Sequence, residues 1–396
     1  MVKNKKGTIL MLTFILVMGL AMVVGSTTYL AVLRVRDIGG DMDYLNAYYY
    51  AQAGMAKAIW YLKNSGFGRR YRSTNLTESF GSGSYTISVK SGSTPLFVTI
   101  TSKGIVRSTS RTIQANYNTY PPAFNYPLYS LQKVTMESGT PPYNITYVSG
   151  GADICVLAND NVFVNKYANA NGVAVTSGHS VTGEGSYFIR PLPAPLPSFP
   201  TLESTYYNNQ INIAKAKTPG GKTYSWTIVN LGGGSVYWNG NVVIGTLAFV
   251  YGPGDLVANG TITANDNAFI GSKVRLIADQ DLVIQDQANV GDCDVFYSNS
   301  KVTVIPGFSD SSHISVLCPK TVSFQPSSYY GIICAGSATL EASSLLMGSA
   351  MLGNFGNVNR MAGKARINYN VDYLPDFPPP GIPGTYTLIP GTWKEY

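Results

Sequence analysis

Five aspartates lie close together in the chain, near one arginine: Asp279, Asp281, Asp286, Asp292 and Asp294, with Arg275 nearby. Clustered carboxylates can bind calcium or carry out acid and base catalysis on polysaccharides. Aspartate is also the expected residue in turns between short strands. Because these aspartates alternate with short apolar segments, we interpret them as turn residues. The sequence therefore predicts neither a metal site nor a catalytic site, and a polysaccharide-active enzyme remains an alternative.

The four cysteines are Cys155, Cys293, Cys318 and Cys334. None forms a C-x-x-C pair, which disfavours zinc binding and thioredoxin chemistry. Cys155 and Cys334 lie inside apolar segments, as core thiols do. An exported chain could instead oxidise its thiols, and the leading candidate pair for a disulfide is then Cys318 with Cys334.

The two histidines, His179 and His313, are isolated in the sequence. Ser177 and Ser180 beside His179 lack the G-x-S-x-G frame of a nucleophile elbow. No P-loop, dinucleotide fingerprint or zinc spacing occurs. We therefore predict no cofactor and no enzymatic activity.

The composition indicates that a turn-rich β protein must position these residues. Apolar residues make up 45% of the chain and charged residues 12%, with 41 glycines and 22 prolines. So few charged residues argue against a mainly helical protein and against disorder. Residues 1–120 hold 14 Lys+Arg and 4 Asp+Glu, or +10, whereas residues 121–396 hold 14 and 17, or −3. The basic charge is thus confined to the N-terminal third, and a nucleic-acid partner is not expected.

The N-terminal segment has basic residues on both sides of an apolar run: Lys3, Lys5 and Lys6 come before it, and Arg34 and Arg36 after it. The run, Thr8–Leu33, contains no charged residue. As a helix it is about 39 Å long, enough to cross a bilayer core of roughly 30 Å. The lysines predict a cytoplasmic N-terminus and an exported remainder. Ala21 and Gly25 have the small-x-x-x-small spacing that lets helices pack closely in lipid.

Beyond the span, helical periodicity continues to a stop signal at Asn64-Ser65-Gly66. One mostly apolar stripe contains Tyr44, Tyr48, Gln52, Met55, Ile59 and Leu62. A second face of small residues, Ala47, Ala51, Gly54 and Ala58, predicts close helix packing. The prediction is one long helix over 8–64, with a weak point at Gly39-Gly40.

This N-terminal region resembles that of PilX-type minor pilins of type IV pili. The resemblance extends over the leader and most of the predicted helix. It is carried by Lys6-Gly7-Thr8, the apolar run, and the segment from Asp43 to Met55, which reads DYLN-AYYYAQAGM. In that family a basic leader ends in glycine and a prepilin peptidase cuts after it. The resemblance implies a leader at 1–7 and processing between Gly7 and Thr8. Leu12 stands where major pilins have glutamate, which fits a minor subunit better than the main filament subunit.

Short β-strands follow the helix. Alternating segments and turns over 73–118 predict a small antiparallel meander packed on the apolar stripe of the helix, as in pilins. From residue 242 onward, apolar bursts recur every five to eight residues, which predicts coils of about 20 residues. We therefore predict a right-handed parallel β-helix over 119–371.

Residues 191–235 are interpreted as an insertion in this solenoid, and two separate β domains are the alternative. The Pro-rich tail 372–396 is expected to cap the last coil with Trp393.

The functional expectation is a non-enzymatic, minor pilin-like subunit of a type IV pilus or related machine, which primes or caps assembly. Its expected partners are other pilins, the assembly platform, prepilin peptidase and membrane lipid, together with a surface or glycan contacted by the β-helix. Its expected location is the cytoplasmic membrane and then the pilus surface. A permanently anchored surface adhesin is the first alternative.

Overall fold

The structure of the chain is a computed structural model. It describes residues 5–63, 76–92, 96–137, 146–150, 153–265, 267–285, 288–291, 294–305, 313–325, 328–341, 343–353, 359–362, 364–375, 378–382, 384 and 386–396.

A single helix of 59 residues, α1 (Lys5–Lys63), begins the described chain. It ends directly before the predicted stop signal and is unbroken at Gly39 and Gly40, where the sequence predicted a weak point. Among the described residues, one helix is long and apolar enough to cross a membrane, at Met11–Lys63. The predicted span is thus a candidate membrane anchor.

A five-stranded antiparallel sheet packs on the second half of α1. Its strands are β1 (Leu76–Phe80), β2 (Gly83–Ser91), β3 (Phe97–Val106), β4 (Thr109–Asn118) and, from the chain's end, β31 (Lys394–Glu395). This is the meander that the alternating segments predicted. A short 3-10 helix at Pro122–Asn125 then leads into the solenoid.

The first solenoid segment follows, with eight strands: β5 (Leu128–Ser130), β6 (Val134–Met136), β7 (Thr146–Gly150), β8 (Val156–Ala158), β9 (Val162–Val164), β10 (Ala168–Val175), β11 (Val181–Thr182) and β12 (Ser186–Ile189). Helix α2 (Thr205–Lys215) separates it from the second segment.

The second segment begins with nine short strands: β13 (Lys222–Tyr224), β14 (Ile228–Asn230), β15 (Ser235–Trp238), β16 (Val242–Ile244), β17 (Phe249–Tyr251), β18 (Gly254–Ala258), β19 (Ile262–Ala264), β20 (Phe269–Ile270) and β21 (Val274–Ala278). Nine more complete it: β22 (Leu282–Ile284), β23 (Asn289–Val290), β24 (Asp294–Ser298), β25 (Lys301–Val304), β26 (His313–Phe324), β27 (Ser328–Leu340), β28 (Leu345–Leu352), β29 (Asn359–Met361) and β30 (Arg366–Tyr369). A second 3-10 helix lies at Val371–Tyr373.

These strands form a parallel β-solenoid of about ten turns, so the predicted fold class is confirmed. The coil length is visible in a ladder of inward side chains, one from each successive coil: Val242, Ile262, Leu282, Val302 and Val322. Each is buried in one continuous core of mostly aliphatic side chains. A parallel stack needs an apolar residue at the same point of each coil, which is why the repeat is visible in the sequence.

The order of the coils in space differs from their order along the chain. β28 pairs with β5, β29 with β6, and β30 with β7, so the first segment is stacked beyond the last strands of the second. Residues 190–221 therefore connect the two opposite ends of the stack. With about ten turns at about 4.8 Å per turn, the ends are roughly 45 Å apart, a distance that this connection is long enough to span. The domain boundaries proposed from the sequence stay predictions.

Helix α2 and its flanking residues lie along the outside of the solenoid. Tyr207, Ile211 and Ala214 are buried against a second apolar cluster that includes Tyr297. The rings of Tyr207 and Tyr297 stack with centroids 3.9 Å apart. This packing fixes the long connection to the side of the coils.

The C-terminal residues extend the antiparallel sheet, and the prediction that Trp393 caps the last coil is wrong. The Asn118 N–H donates to the Thr387 carbonyl at 2.9 Å, and β31 pairs with β4. Thr112 and Tyr396 exchange two backbone hydrogen bonds. The free edge of β4 provides unpaired backbone groups next to the tail, and the tail satisfies them.

Candidate functional site

The candidate site is α1 together with the sheet that holds it. Gly7 and Thr8, the predicted processing residues, lie in the first turns of the helix, and their side chains are outside the described part of the structure. Apart from Leu33, which is partly buried, the large apolar side chains from Met11 to Val35 are 46–71% exposed. An apolar helix exposed in this way must contact lipid or other helices, because water at its surface is unfavourable.

Ala21 and Gly25 lie on this exposed half. Ala21 is exposed, and a Cβ built on Gly25 has nothing within 4 Å. The small residues of the span therefore make no contact inside the described chain, which leaves their surface open to another helix. Their role in packing remains a prediction.

Ala47, Ala51 and Gly54 have a different environment. Ala47 and Ala51 are fully buried against the chain's own sheet. A Cβ on Gly104 of β3 would lie 2.0 Å from the Ala47 carbonyl oxygen and 2.5 Å from the Ala51 amide nitrogen. A Cβ on Gly54 would lie 2.3 Å from Ser102 Oγ. The small face thus allows close packing of helix on sheet within one chain, and it is not available to a second helix.

The apolar stripe that was expected to cover the sheet does so only in part. Tyr44 of this stripe is 47% exposed, whereas Met55 and Leu62 of the same stripe are buried with the small residues. Small side chains occupy the central position because only they let the helix backbone approach the sheet this closely.

Polar contacts hold the helix to the sheet at both ends of this interface. Near residue 43, Arg107 Nη1 lies 3.2 Å from Asp43 Oδ2, and the Arg111 guanidinium lies 3.4 Å from the centroid of the Tyr44 ring. The Arg107 side chain is 77% exposed, so its ion pair contributes little to stability.

At the other end, the Tyr61 and Tyr85 hydroxyls both donate to the carboxylate of Glu78, with an oxygen–oxygen distance of 2.7 Å for Tyr61. These two bonds, first from Tyr85 and then from Tyr61, lower the pKa of Glu78 below its ordinary value of 4.5. Burial and the bond to Glu78 raise the pKa of Tyr85. The carboxylate therefore links the last turns of α1 to β1 and β2 while it is ionised.

The aspartates near Arg275 do not form one centre. Asp279 pairs with Lys215 at 2.8 Å, and Asp294 Oδ1 accepts the Val274 N–H at 2.7 Å. Burial acts to raise the pKa of Asp279, but hydrogen bonds from Lys215 and Asn299 outweigh it and lower the pKa. Asp286 and Asp292 lie outside the described residues, and no metal-binding group of three acidic, cysteine or histidine side chains occurs in the part that is described.

Arg275 instead bonds to an aspartate that the sequence analysis missed. Its Nε donates to Asp255 Oδ1, and Asp255 Oδ2 accepts the Tyr206 hydroxyl at 2.8 Å. Both charged side chains are nearly fully buried under the α2 connection. The sequence spacing does indicate this pair, because Asp255 and Arg275 are one coil repeat apart and therefore occupy the same place in adjacent coils.

Cys155, Cys318 and Cys334 are free, buried thiols, and the candidate disulfide is not formed. Cys318 faces the inner core, whereas Cys334 faces the outer cluster. Their strands are neighbours, but their side chains point to opposite faces of the sheet, so the sulfur atoms cannot meet. Burial raises the pKa of Cys318 to about 11 and that of Cys334 to about 12. Cys293 lies outside the described residues.

The two histidines are also separate. His179 Nδ1 lies 3.4 Å from Asp160 Oδ1, and the ring of His313 contacts that of Tyr373.

No family model matches the sequence, and no curated protein matches it. Among solved structures, the chain is similar to the crystal structure of the competence-associated pilin ComZ from Thermus thermophilus, with 12% sequence identity and a TM-score of 0.29. The likeness covers 89% of this chain and 97% of that one. A TM-score this low carries no argument about what the present chain does. The described residues do define a class of architecture: a candidate membrane anchor, a helix-bound antiparallel sheet and a β-solenoid.

Proposed function

We propose that this chain is a PilX-type minor pilin-like structural subunit of a type IV pilus or a related assembly machine, and that it is not an enzyme. The observation that carries the proposal is the division of α1. Its first half is apolar and exposed, and one face of its second half is buried against a sheet of the same chain. A helix of this kind is stable in lipid before assembly and against other apolar helices after it.

The sequence at the start of the helix supports processing. Basic residues end at Lys6, Gly7 follows, and the uncharged run begins at Thr8. Cleavage by a prepilin peptidase between Gly7 and Thr8 removes the cytoplasmic lysines. The mature helix then begins with a segment that has no charged side chain, and this segment can leave the bilayer and enter a filament without moving lysines through the membrane.

The position of Leu12 supports a minor role. In a helix that enters the filament, a carboxylate at this position would provide a charged group for pairing inside the apolar filament core. Leu12 provides no such group. A subunit without that contact is suited to priming or capping assembly, where fewer neighbours surround it. The large solenoid also fits the tip, because about ten coils carried beside the sheet would crowd subunits packed on every side.

The partners in this proposal are other pilins, the assembly platform, prepilin peptidase and, before assembly, membrane lipid. The chain would be a single-pass protein of the cytoplasmic membrane with its N-terminus inside, and its solenoid would be exported and reach the pilus surface.

Mass spectrometry of the mature N-terminus tests the proposal. Protein recovered from sheared filaments should begin at Thr8, and Gly7→Arg should leave residues 1–7 attached. Wild-type protein that keeps residues 1–7 in filaments would contradict it. Intact protein found in membranes alone would favour the permanently anchored adhesin, which the same candidate anchor fits.

A further inference from the structure

One side of the solenoid exposes large apolar side chains over the first coils of the second segment. We call this surface the aromatic face; it consists of Trp226, Ile228, Leu247, Phe249, Tyr251 and Phe269. Trp226 is 75% exposed, Ile228 68% and Tyr251 40%, whereas Phe249 and Phe269 are half-buried. Ile228, Phe249 and Phe269 are paired in register on β14, β17 and β20. Contiguous exposed apolar patches of this kind mark binding surfaces.

The rings of the aromatic face form one contiguous cluster, in which the plane of Phe269 is tilted by 41° to that of Phe249 and by 49° to that of Tyr251. The planes of Phe249 and Tyr251 differ by 8°, and their centroids are 6.2 Å apart. Phe269 lies 5.7 Å from Phe249 and 5.9 Å from Tyr251. A Cβ on Gly271, one coil further along, would lie 3.1 Å from Tyr251 Cδ1, so the glycine leaves room for the tyrosine ring.

The backbone at one border of the face is held in an unfavourable conformation. Trp226 has φ = 53° and Leu247 has φ = 50°, in the left-handed region that bulky residues rarely adopt. The Trp226 N–H is fixed by a 3.0 Å hydrogen bond to the Thr246 carbonyl. Such conformations are energetically unfavourable for bulky residues and cluster at functional sites. Here the result is an exposed indole beside the ring cluster.

The chemistry of the face selects its ligand. At the described outward positions of β14, β17, β20 and β23, the side chains are apolar, aromatic or amide, and none is charged. The amides belong to Asn230 and Asn289, which border the rings. A nucleic acid requires cations for its phosphates, and an acidic polysaccharide requires them for its carboxylates.

A neutral sugar chain fits these groups better. Its C–H surfaces can lie against the negative faces of the rings, and its hydroxyls can hydrogen-bond to amides. We propose that the aromatic face binds a neutral polysaccharide. The coils repeat at a spacing of about 4.8 Å, which makes the ring cluster an extended surface suited to a chain rather than to one sugar ring. This inference goes beyond the proposed function, because a filament subunit and an anchored adhesin could carry the same surface.

The test is affinity electrophoresis of the purified full chain in detergent, in gels that contain hydroxyethyl cellulose or galactomannan. Both neutral polymers serve as probes, and polygalacturonate and a single-stranded DNA oligonucleotide serve as charged comparisons. The wild-type chain should be retarded by at least one neutral polymer. Tyr251→Ala and Trp226→Ala should each weaken the retardation about tenfold, through loss of ring contacts, whereas Tyr251→Phe should keep most of it.

Phe188→Ala is the matched control. Phe188 is 60% exposed on β12, in the coils at the opposite end of the solenoid, so its removal should leave retardation unchanged. Thermal unfolding of each variant shows whether the solenoid is intact. The proposal is overturned if neither polymer retards the wild-type chain, if Phe188→Ala weakens binding as much as Tyr251→Ala, or if only DNA or polygalacturonate binds. It is also overturned if Trp226→Ala abolishes only self-association, which would identify the face as an interface between copies.

Discussion

Gly104 is the point where the sheet touches the backbone of α1, and Gly104→Ala is expected to separate the two. The new Cβ would lie 2.0 Å from the Ala47 carbonyl oxygen, and real Cβ contacts essentially never fall below 3.0 Å. The helix must therefore retreat by at least about 1 Å, the difference between these two distances. The two nearest atoms, the Ala47 carbonyl oxygen and the Ala51 amide nitrogen, both belong to the helix backbone, so no side-chain rotation can relieve the contact.

The size of the effect follows from this geometry. Overpacking a core costs typically about 1–3 kcal/mol, and a gap of roughly 0.5–1 Å removes a quarter to a half of the dispersion energy of the facing atoms. The side chains that would lose contact with the sheet include those of the buried residues Ala51, Met55, Ala58 and Leu62. We therefore expect a loss of about 3 kcal/mol from the helix–sheet interface, near the upper end of the range.

Hydrogen exchange of the full chain in detergent measures this loss. The amides of residues 47–62 should exchange about 100-fold faster than in the wild type, since each step of about 1.4 kcal/mol is a factor of ten. Lys103→Ala is the control, because Lys103 is exposed on the opposite face of the same strand. Unchanged protection in Gly104→Ala, or equal losses in both variants, would refute the assigned contact.

Three further predictions concern the solenoid, the span and the top of the helix. Ile284→Asp should unfold the solenoid because it buries an unpaired carboxylate at a fully buried position, whereas Asn289→Asp, in an exposed position, should change the melting temperature little; equal tolerance of both would contradict the register. The double change of Ala21 and Gly25 to Leu keeps the span apolar, so membrane insertion should persist while the ratio of sheared-filament to membrane protein falls; an unchanged ratio would identify the span as an anchor only. The pKa of Glu78 is lowered in the folded chain, so the ionised carboxylate stabilises the fold above its ordinary pKa of 4.5, and this stabilisation is lost as the pH falls through the folded pKa. Hydrogen exchange near residue 61 should accelerate over that pH range, and Glu78→Gln should remove this pH dependence. If the pH dependence persists in Glu78→Gln, the carboxylate is excluded as its cause.

Local patterns in the sequence were sufficient for the class of fold. The apolar run predicted the long N-terminal helix, and the turn residues between short apolar bursts predicted the parallel coils and their length. The coil repeat can be recognised in the sequence because each coil has the same requirement, an inward aliphatic residue followed by a turn. The contact between Asp255 and Arg275 could be predicted for the same reason, because the two residues are one coil repeat apart, although the sequence analysis missed it.

Side-chain direction was only partly predictable. Ala47 and Ala51 were identified as a close-packing face, but the partner of that face is β3 of the same chain. Cys318 and Cys334 are close in sequence, yet the alternation of their strands places them on opposite sides of one sheet. In both cases the sequence specifies the size of a side chain, and the neighbouring element decides what it faces.

The order in which the coils stack in space was decided by tertiary structure alone. Nothing local to β5 indicates that it pairs with β28, which lies near the other end of the chain, because a parallel ladder accepts any strand with a suitable inward residue. The position of the C-terminal tail has a similar cause, since its partner is the unpaired edge of β4 and an edge exists only after the sheet has formed. The sequence by itself thus determined the long N-terminal helix and the coil repeat, which arise from local periodicity. The order of the coils, the helix face that meets the sheet and the grouping of the aromatic face were fixed by contacts between residues far apart in the chain.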